Sequence, residues 1–479
     1  MKDFIGREPE IRVLTDALES LEPELVAVIG RRRVGKTFLV RHVYSRQTVF
    51  EFSGVKETTA IRQLERFGLA LAKAFDMKET PVKLRSWLQA FSLLSDMLEK
   101  KNTGKKRVVF LDEFPWLDSP RSGFLAAFDH FWNSWATKQP KLVVVICGSA
   151  ASWMIRNVVR SKGGLHNRLT RRIRLLPFNL LETEQFLQNR NISFKRYQIL
   201  QLYMMMGGIP HYLKELRRGE SVDQAIDRLF FGVDGLLREE FENLYPALFD
   251  DAGRHLAAVR ALAAKPSGMT RNQLIDHCSL NSGGSTTKML EELLESGFIQ
   301  QYLPFGNTTK DAVYKLSDEY TIFYLRFIEH SKAVGAGAWI NKSQSPAYRI
   351  WCGYAFENLC LKHVPQIKKS LGISGVYTEQ SIWRSEGDDS LSGAQIDLVL
   401  DRADQCINLV EVKFSNAEFV VDKKYAAELE NKKQVFAAKT GTRKSLFLTM
   451  ITNFGVKKNE HALHTLHHAL TMDVLFENG

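Results

Sequence analysis

The stretch that decides the fold is residues 25–40, LVAVIGRRRVGKTFLV. The segment from Gly30 to Thr37 fills the template G-x-x-x-x-G-K-[ST] completely, between an apolar run and an apolar helical pattern. Glycines permit the tight turn in which backbone N–H groups converge on an anion at a helix N-terminus. Lys36 would then reach the β- and γ-phosphates of a nucleotide, and the Thr37 hydroxyl would hold Mg²⁺. The alternative, a chance Gly-Lys-Thr turn, leaves the flanking strand and helix patterns unexplained.

Length and charge limit the possible classes of protein. A chain of 479 residues is too long for one core, so we expect roughly two to four domains. The formal charge of +11 favours an anionic partner, nucleic acid or nucleotide, although a basic balance is often only a solubility feature. The five scattered cysteines have no disulfide or zinc spacing, and the sequence has no apolar leader or membrane-length apolar run. We therefore expect a cytoplasmic protein without a membrane partner.

Further strand patterns alternate with helical patterns, at Thr48–Phe52, Val108–Leu111 and Lys141–Ala150. This alternation predicts an α/β protein whose parallel sheet has helices on both faces. Asp112 and Glu113 follow the second of these strands at its carboxyl end, where ligands bind in such sheets. Asp112 would complete the Mg²⁺ shell and Glu113 would polarise the attacking water. The alternative is an acidic strand end without a metal role.

Ser149 lies at the end of the last of these strand patterns. Its hydroxyl could hydrogen-bond the γ-phosphate or the lytic water. A turn in which Ser149 caps the next helix explains the same residue nearly as well, and both interpretations stay open.

Two stretches interrupt the helical patterns in the middle of the chain. Gly207–Gly208 and Pro210 break one helix and begin another, as expected of a hinge. Residues 331–346, which are rich in small residues, predict a linker before a C-terminal domain.

Residues 246–330 predict a separate small domain of helices followed by a hairpin with a turn near Pro304–Asn307. Helices followed by such a hairpin form the winged-helix pattern, in which DNA readers place the second helix in the major groove. That helix contains Lys288, but it also contains three carboxylates, those of Glu291, Glu292 and Glu295. Because carboxylates oppose phosphate, a structural role is favoured over DNA reading.

Residues 394–414, AQIDLVLDRADQCINLVEVKF, predict two strands joined by a polar turn. If the hairpin is centred on Asp404, Asp397 lies directly opposite Glu411, and Lys413 shares the face of Glu411. Two carboxylates can hold one or two Mg²⁺ ions, and a lysine can orient a water or stabilise the charge of a phosphorane. The alternative is a surface hairpin with paired charges, but apolar residues surround both carboxylates.

Two features around this hairpin have two interpretations each. Glu357 lies in the helical stretch Tyr348–His363, where it is either a solvated-edge residue or a further metal ligand. The lysines and arginines between residues 423 and 444 suit a phosphate backbone, or they form a solvated basic face.

Six segments over about the first 240 residues resemble the archaeal-type ATPases of the AAA+/STAND superfamily: FIGREPE, GRRRVGKT, FLDEFPWL, ICGSAASW, NRLTRRIRLLPF and GGIPHYL. The resemblance implies an adenine-contacting segment near Phe4, a polar sensor at Ser149 and a lid motif at Gly208–Pro210. It also implies an arginine that senses the γ-phosphate at Arg168, with Arg171 or Arg172 as alternatives. The candidate nucleotide-binding residues are Phe4, Gly6, Arg7, Gly30, Arg31, Arg32, Arg33, Val34, Gly35, Lys36, Thr37, Phe38, Ser149 and Pro210.

The C-terminal part resembles the restriction-endonuclease-like domain that often closes this ATPase family. Four residues match the PD-(D/E)xK nuclease pattern: Glu357, Asp397, Glu411 and Lys413. The departure from the pattern is Ile396, which stands where many members have proline. On this resemblance the metal ligands are Glu357, Asp397 and Glu411, and the catalytic residues are Asp397, Glu411 and Lys413.

We therefore expect five segments: a P-loop ATPase core (1–178), a helical lid (179–245), a winged-helix domain (246–330), a linker (331–346) and an α/β nuclease-like domain (347–479). The cofactors would be ATP or ADP and Mg²⁺, with ATP between the sheet edge and the lid. The expected function is an ATP-hydrolysing switch coupled to a nuclease acting on nucleic acid, with DNA preferred. A further copy of the chain, in an ATP-dependent homo-oligomer, is an additional candidate partner. The alternatives are a signalling ATPase whose C-terminal domain binds without cutting, and a winged-helix transcription regulator.

Overall fold

The computed structural model describes residues 4–77, 83–101, 104–159, 167–306, 309–332, 335, 337–387 and 393–478. The chain divides into two compact units, Met1–Pro177 and Phe178–Gly479. The first unit has one sheet and the second has two. None of the helices within the described ranges has the length and apolar composition that a bilayer crossing requires.

A parallel five-stranded sheet forms the centre of the first unit. Its strands are β1 (Glu24–Ile29), β2 (Thr48–Ser53), β3 (Arg107–Asp112), β4 (Leu142–Gly148) and β5 (Arg171–Arg174). Their order is β2-β3-β4-β1-β5, and all neighbours are parallel. β1, β3 and β4 are buried along their whole length, as expected where both faces of a sheet are covered. The predicted α/β fold and its first four strands are confirmed; β5 was not predicted, because its sequence, RRIR, lacks an apolar run.

Six α-helices of the first unit lie within the described residues. They are α1 (Glu8–Glu19), α2 (Lys36–Tyr44), α3 (Ala60–Ala74), α4 (Trp87–Lys100), α5 (Phe124–Ser134) and α6 (Ala151–Met154). The hydroxyl of Ser86 caps α4 by accepting a hydrogen bond from the N–H of Gln89. Edge-to-face rings, Phe67 on Trp87 and Trp87 on Phe124, join α3, α4 and α5 into one core against the sheet.

The second unit contains two sheets and most of the helices. The helices are α7 (Leu180–Asn189), α8 (Arg196–Met206), α9 (Pro210–Leu213), α10 (Val222–Ile226), α11 (Leu236–Leu248), α12 (Ala252–Ala264), α13 (Arg271–His277), α14 (Gly284–Glu295), α15 (Glu319–Phe327), α16 (Ala338–Ser343), α17 (Pro346–Lys362), α18 (Val364–Ser370), α19 (Lys423–Thr440) and α20 (Glu460–Thr465). The predicted helix break at Gly207–Gly208 is confirmed, since α8 ends before it and α9 begins at Pro210.

The smaller sheet of the second unit has three short antiparallel strands. They are β6 (Met269–Thr270), β7 (Ile299–Tyr302) and β8 (Val313–Leu316), in the order β6-β8-β7. The predicted β7–β8 hairpin is confirmed, while Asn307 of its predicted turn lies outside the described residues. The order α12-β6-α13-α14-β7-β8 is compatible with a winged helix, which stays a prediction.

The larger sheet of the second unit is mixed. Its strands are β9 (Thr378–Ser385), β10 (Ala394–Arg402), β11 (Cys406–Lys413), β12 (Ser445–Thr452) and β13 (His468–Thr471), in the order β13-β12-β11-β10-β9. The strands β9 to β11 are antiparallel, and β11 to β13 are parallel. Helix α19 packs apolar residues, including Phe436, against this sheet. A nuclease-like fold for this domain remains a prediction.

Part of the expected linker is folded. Residues 338–343 form α16, and Trp339 on this helix is fully buried. The carboxylate of Asp227 accepts hydrogen bonds from the N–H groups of Gly337 and Trp339, which holds the start of α16 in place. The described part of residues 331–346 is therefore packed structure, and small residues alone were a poor guide to it.

Gly30 lies where the chain leaves β1 and passes close to the end of β5. A Cβ atom added at Gly30 would lie 2.3 Å from the carbonyl oxygen of Leu175. Gly30 is therefore required by the packing of two strands as well as by the turn.

We expect Gly30→Ala to destabilise the full chain by about 1–3 kcal/mol, because backbone rather than a flexible side chain opposes the added methyl group. Chemical denaturation without nucleotide measures this change. The control is Gly253→Ala in α12, where the nearest heavy atom is 3.9 Å away and the change should be neutral or slightly stabilising. Equal stability of Gly30→Ala and the wild type would show that β5 can move aside.

Candidate functional site

The loop between β1 and α2 has the geometry of a phosphate-binding loop. Gly35 has φ 95°, a left-handed conformation that favours glycine, and α2 begins directly after it at Lys36. The Lys36 ammonium donates hydrogen bonds to the carbonyl oxygens of Gly30 at 2.8 Å and Arg31 at 2.9 Å. Lys36 thus lies over its own loop, at the N-terminus of a helix.

The carboxyl end of β3 lies beside this loop. The Thr37 hydroxyl donates a hydrogen bond of 2.8 Å to Oδ2 of Asp112. The predicted Mg²⁺ ligands, a hydroxyl and a carboxylate, are therefore together, and their oxygen chemistry fits that ion. The next residue, Glu113, is in the left-handed region at φ 46°. Such strain in a residue other than glycine is typical of functional sites.

Ser149 contacts the carboxylate of Glu113. Oε2 of Glu113 accepts hydrogen bonds from the Ser149 hydroxyl at 2.6 Å and from the Ser149 N–H at 3.2 Å. Ser149 follows the end of β4, next to β3 in the sheet. Neither sequence interpretation of Ser149 included this contact with Glu113.

The expected adenine-contacting segment lies against α2. The Phe4 ring stacks on Phe38 with centroids 5.5 Å apart and on His42 with centroids 4.4 Å apart. Gly6 and Arg7 are both in the left-handed region, and Nη2 of Arg7 donates a hydrogen bond of 2.6 Å to a carbonyl oxygen at the end of the first unit. Phe38 is 64% exposed, so an aromatic surface is available to a planar ligand.

The other residues of the loop differ in exposure. Arg31 and Val34 are buried, Arg32 is exposed, and Arg33 is half-buried with a left-handed backbone. Arg32 is therefore the arginine of this triplet that is most open to a ligand. Pro210 belongs to the second unit, at the start of α9.

Arg168 lies at the amino ends of the strands, whereas the phosphate-binding loop lies at their carboxyl ends. It precedes β5, whose first residue, Arg171, is paired with Val26 near the start of β1, and Arg171 also forms an ion pair with Glu24 at 3.2 Å. The loop follows the other end of β1. At about 3.3 Å per residue, Arg168 is on the order of 15 Å or more from Gly30 along the strand direction. The structure therefore does not bring Arg168 or Arg171 to the loop of the same chain.

The second candidate site is a cavity of about 460 Å³ in the second unit. It is lined by all four residues that the nuclease pattern singled out, namely Glu357, Asp397, Glu411 and Lys413. The pairing of Leu398 with Val410 confirms the predicted register of the hairpin. The pairing of β10 with β9 shifts between Ile396 and Val399, so an irregularity surrounds Asp397.

The carboxylate of Glu411 is at the centre of a charged cluster. It is 4% exposed, and its Oε1 lies 2.8 Å from the Lys413 ammonium and 2.9 Å from the Lys432 ammonium. The Tyr425 hydroxyl donates a third hydrogen bond to the same oxygen at 3.3 Å. Lys432 and Tyr425 come from α19 and were missed as site residues. Their spacing of seven residues, which places both on one helical face, was the signal available for them.

The carboxyl group of Asp397 carries the strongest electrostatic constraint in this cavity. Its Oδ2 accepts a hydrogen bond of 2.9 Å from the N–H of Val412. Burial, followed by the neighbouring carboxylates of Glu411 and Glu357, raises the pKa of Asp397 to about 7. Burial alone would lower the pKa of Lys413, but Glu411 and Asp397 together raise it above its ordinary value. Lys413 is therefore an ammonium ion, suited to stabilising negative charge rather than to accepting a proton.

Glu357 faces the same cavity from α17 and has a counter-ion of its own. Its Oε1 lies 2.7 Å from the ammonium of Lys315, a buried residue of β8. The solvated-edge interpretation of Glu357 is thus incorrect, since both members of the pair are largely buried. Within the described ranges, no three side chains of the His, Cys, Asp and Glu types are grouped so as to hold a metal ion. The carboxylates fit a divalent cation by chemistry, but lysines already contact Glu357 and Glu411.

A phosphate-binding loop after β1, with an acidic pair at the carboxyl end of β3 in the same parallel sheet, defines a P-loop ATPase site. Residues 4–216 match the family described as an ATPase domain predominantly from Archaea. The chain therefore contains an archaeal-type ATPase domain, for which ATP or ADP is the expected nucleotide. The matched segment does not include the cavity around Asp397.

Relatives of known sequence or structure extend this result. An uncharacterized protein of Methanocaldococcus jannaschii is 24% identical over 442 residues, which is 90% of this chain and 92% of the relative. A solved Walker-type ATPase of Pyrococcus abyssi has a TM-score of 0.50 and 21% identity, covering 68% of this chain and 96% of its own. The ORC2 protein of Aeropyrum pernix covers 68% of this chain and 95% of its own at 14% identity, with a TM-score of 0.41. The Pyrococcus structure supports the P-loop ATPase fold, and the lower score carries no further conclusion.

The raised pKa of Asp397 predicts a stability change that depends on pH. The folded state holds the Asp397 proton more tightly than the unfolded state, so this group stabilises the fold least above about pH 7. Asp397→Asn removes the charge and keeps an acceptor for Val412. We therefore expect it to raise the free energy of unfolding at pH 8 by about 1–3 kcal/mol and at pH 5 by about a third as much, because the effect builds up between the ordinary aspartate pKa and about pH 7. Chemical denaturation of the full chain without metal measures both values.

The control is Asp401→Asn on the same strand. Asp401 lies 2.5 Å from the Lys444 ammonium, so its neutralisation should not stabilise the protein at either pH. A loss of stability in Asp397→Asn at pH 8 would contradict the electrostatic account of the cavity.

Proposed function

We propose that the chain is an ATP-hydrolysing switch coupled to a metal-dependent nuclease that acts on nucleic acid, with DNA preferred. One observation carries the nuclease part: Glu357, Asp397, Glu411 and Lys413 line a single cavity although they come from three different elements. Paired carboxylates next to an ammonium suit phosphodiester hydrolysis, where negative charge develops on phosphorus oxygens.

The ATP-hydrolysing part rests on the loop and the two carboxylates beside it. Lys36 and the loop N–H groups would bind the phosphates, and Thr37 and Asp112 would hold Mg²⁺. Glu113 would orient the attacking water, with its own position fixed by Ser149. Because Arg168 is at the opposite edge of the sheet, a γ-phosphate contact of this arginine would come from another copy of the chain. This is our reason for proposing an ATP-dependent homo-oligomer.

In the cavity, a divalent ion would supply an activated water and would polarise the phosphate. Asp397 and Glu411 would hold the ion, with Glu357 as a further ligand. Binding requires the Asp397 carboxylate to be ionised, so its raised pKa makes metal affinity increase with pH up to about 7. Lys413 would stabilise the charge on the phosphate, since its ammonium form is favoured.

A second candidate function is a regulatory ATPase whose C-terminal domain binds nucleic acid or a partner without cutting. The lysine contacts of Glu411 and Glu357 favour this alternative, because they neutralise two of the expected metal ligands. In this alternative, the three-stranded sheet and its helices would form a winged helix with a structural role. A hydrogen bond of 3.0 Å joins Glu292 of α14 to Nε2 of His255 on α12, which supports a helix-to-helix contact rather than DNA reading.

For the ATPase, we expect Lys36→Ala to lose nucleotide binding and Glu113→Gln to retain binding while losing hydrolysis by roughly 100-fold or more, since it loses the group that orients the water. Isothermal titration with ATP and a phosphate-release assay separate the two effects. The exposed Glu65→Gln on α3 is the matched control and should keep both. Unchanged hydrolysis in Lys36→Ala would remove the assignment of the loop.

For the nuclease, we expect Mg²⁺- or Mn²⁺-dependent cleavage of plasmid or single-stranded DNA that is lost in Glu411→Ala and reduced by about 100-fold or more in Lys413→Ala. The exposed Lys424→Ala on α19 should keep full activity, which separates local chemistry from general basic charge. The assay is run with ATP, with ADP and with neither, and on RNA as well.

Cleavage that survives Glu411→Ala would overturn the proposed nuclease site. DNA retained in a gel but not cut by the wild type would favour the second candidate. A rate that is the same with ATP, with ADP and without nucleotide would contradict the coupling and leave the two sites as separate activities.

A further inference from the structure

A second cavity of about 460 Å³ adjoins the cavity around Asp397. The side chains of Ile350 and Tyr354, both on α17, line both cavities, so one ridge of side chains separates them. Tyr354 is one helical turn before Glu357, which places the two residues as neighbours on one face of the helix. A ligand in the cavity around Asp397 is therefore separated from the second cavity only by these two side chains.

The lining of this second cavity is suited to a flat, largely apolar group. Leu316, Ile322 and Leu325 line it, together with the rings of Trp351 and Tyr354. Its volume exceeds that of a nucleobase and lies in the range of small-molecule pockets. Apolar and aromatic walls favour stacking of a base, which is sequence-tolerant because every base has an aromatic face.

The ridge itself is unusually open for its composition. Ile350 is 62% exposed and Tyr354 is 48% exposed, although both are large and carry apolar surface. Exposed aromatic surface beside a charged site is typical of a binding surface rather than of a core. Arg326 on the rim of the second cavity is exposed and basic, which suits the phosphates that accompany a base.

We infer that the second cavity holds an unpaired base of the nucleic-acid strand whose phosphate lies at Asp397, Glu411 and Lys413. This inference rests on the proposed function and adds the substrate class: single-stranded or locally unpaired nucleic acid rather than intact duplex. Tyr354 acts as the stacking platform between phosphate and base. The inferred base occupies a site that neither the phosphate-binding loop nor the carboxylate cavity provides.

The test measures binding of the full chain to a labelled single strand of about 20 nucleotides, to the matching duplex, and to a single strand with abasic positions, by fluorescence anisotropy. Ca²⁺ replaces Mg²⁺ so that the strand is not cut. We expect the single strand to bind more tightly than the duplex. We expect Tyr354→Ala to weaken single-strand binding by about 5- to 100-fold, and Tyr354→Phe, which keeps the ring, to bind within about twofold of the wild type.

A second variant fills the cavity without removing the ridge. Ala264 is an exposed residue that lines the cavity, so Ala264→Trp should fold and should weaken single-strand binding as Tyr354→Ala does. Abasic positions should weaken binding by the wild type and have little effect in either variant, because the base pocket is already lost.

Two results would overturn the inference. In the first, single strand and duplex bind equally and both variants bind like the wild type, which would show that the cavity does not hold a base. Cleavage of duplex that depends on Glu411 would in that case still support the proposed function. If no nucleic acid binds at all, the inference and the proposed nuclease fail together.

Discussion

The five parallel strands of the first unit all end at one edge of the sheet, and this constraint positions the polar residues of the ATPase site. Gly30 follows β1, Asp112 ends β3 with Glu113 directly after it, and Ser149 follows β4, so three adjacent strands bring these residues to the same place. The hydrogen bond from Thr37 to Asp112 joins two of these strand ends directly. Residues at the amino ends of the strands are far from this site. Arg168 is among them, because it precedes β5 instead of following it.

The second unit positions its carboxylates by antiparallel register instead. Opposite residues of β10 and β11 face each other in pairs, so the turn at Asp404 determines that Asp397 meets the end of β11. The shift in pairing beside Asp397 releases this residue from the regular ladder, and its carboxylate accepts the N–H of Val412. One hairpin and one irregularity therefore create the centre of the cavity.

The sequence was sufficient where one local rule determines the outcome. The loop of Gly30, the strand ends and the hairpin register each follow from spacing within a few residues, and the structure has all three. Two kinds of feature were beyond such rules. β5 has three arginines in four residues, so only its pairing with β1 reveals it as a strand. Lys315 and Lys432 contact Glu357 and Glu411 from 42 and 21 residues away, and those contacts depend on packing rather than on a motif.

The two candidate sites differ in the groups that contact their carboxylates, and this difference affects how each site could respond to movement elsewhere in the chain. Asp112 and Glu113 accept hydrogen bonds from hydroxyl and backbone groups, which belong to the rigid edge of one sheet. Glu411 and Glu357 are instead paired with ammonium groups from α19 and β8, elements outside the hairpin. A metal cation that binds one of these carboxylate oxygens competes with the ammonium group already in contact with it. The cavity therefore depends on the positions of two other elements, whereas the ATPase site is largely complete within one sheet. That asymmetry makes the second unit the part of the chain in which a small shift of β8 or α19 has a chemical consequence.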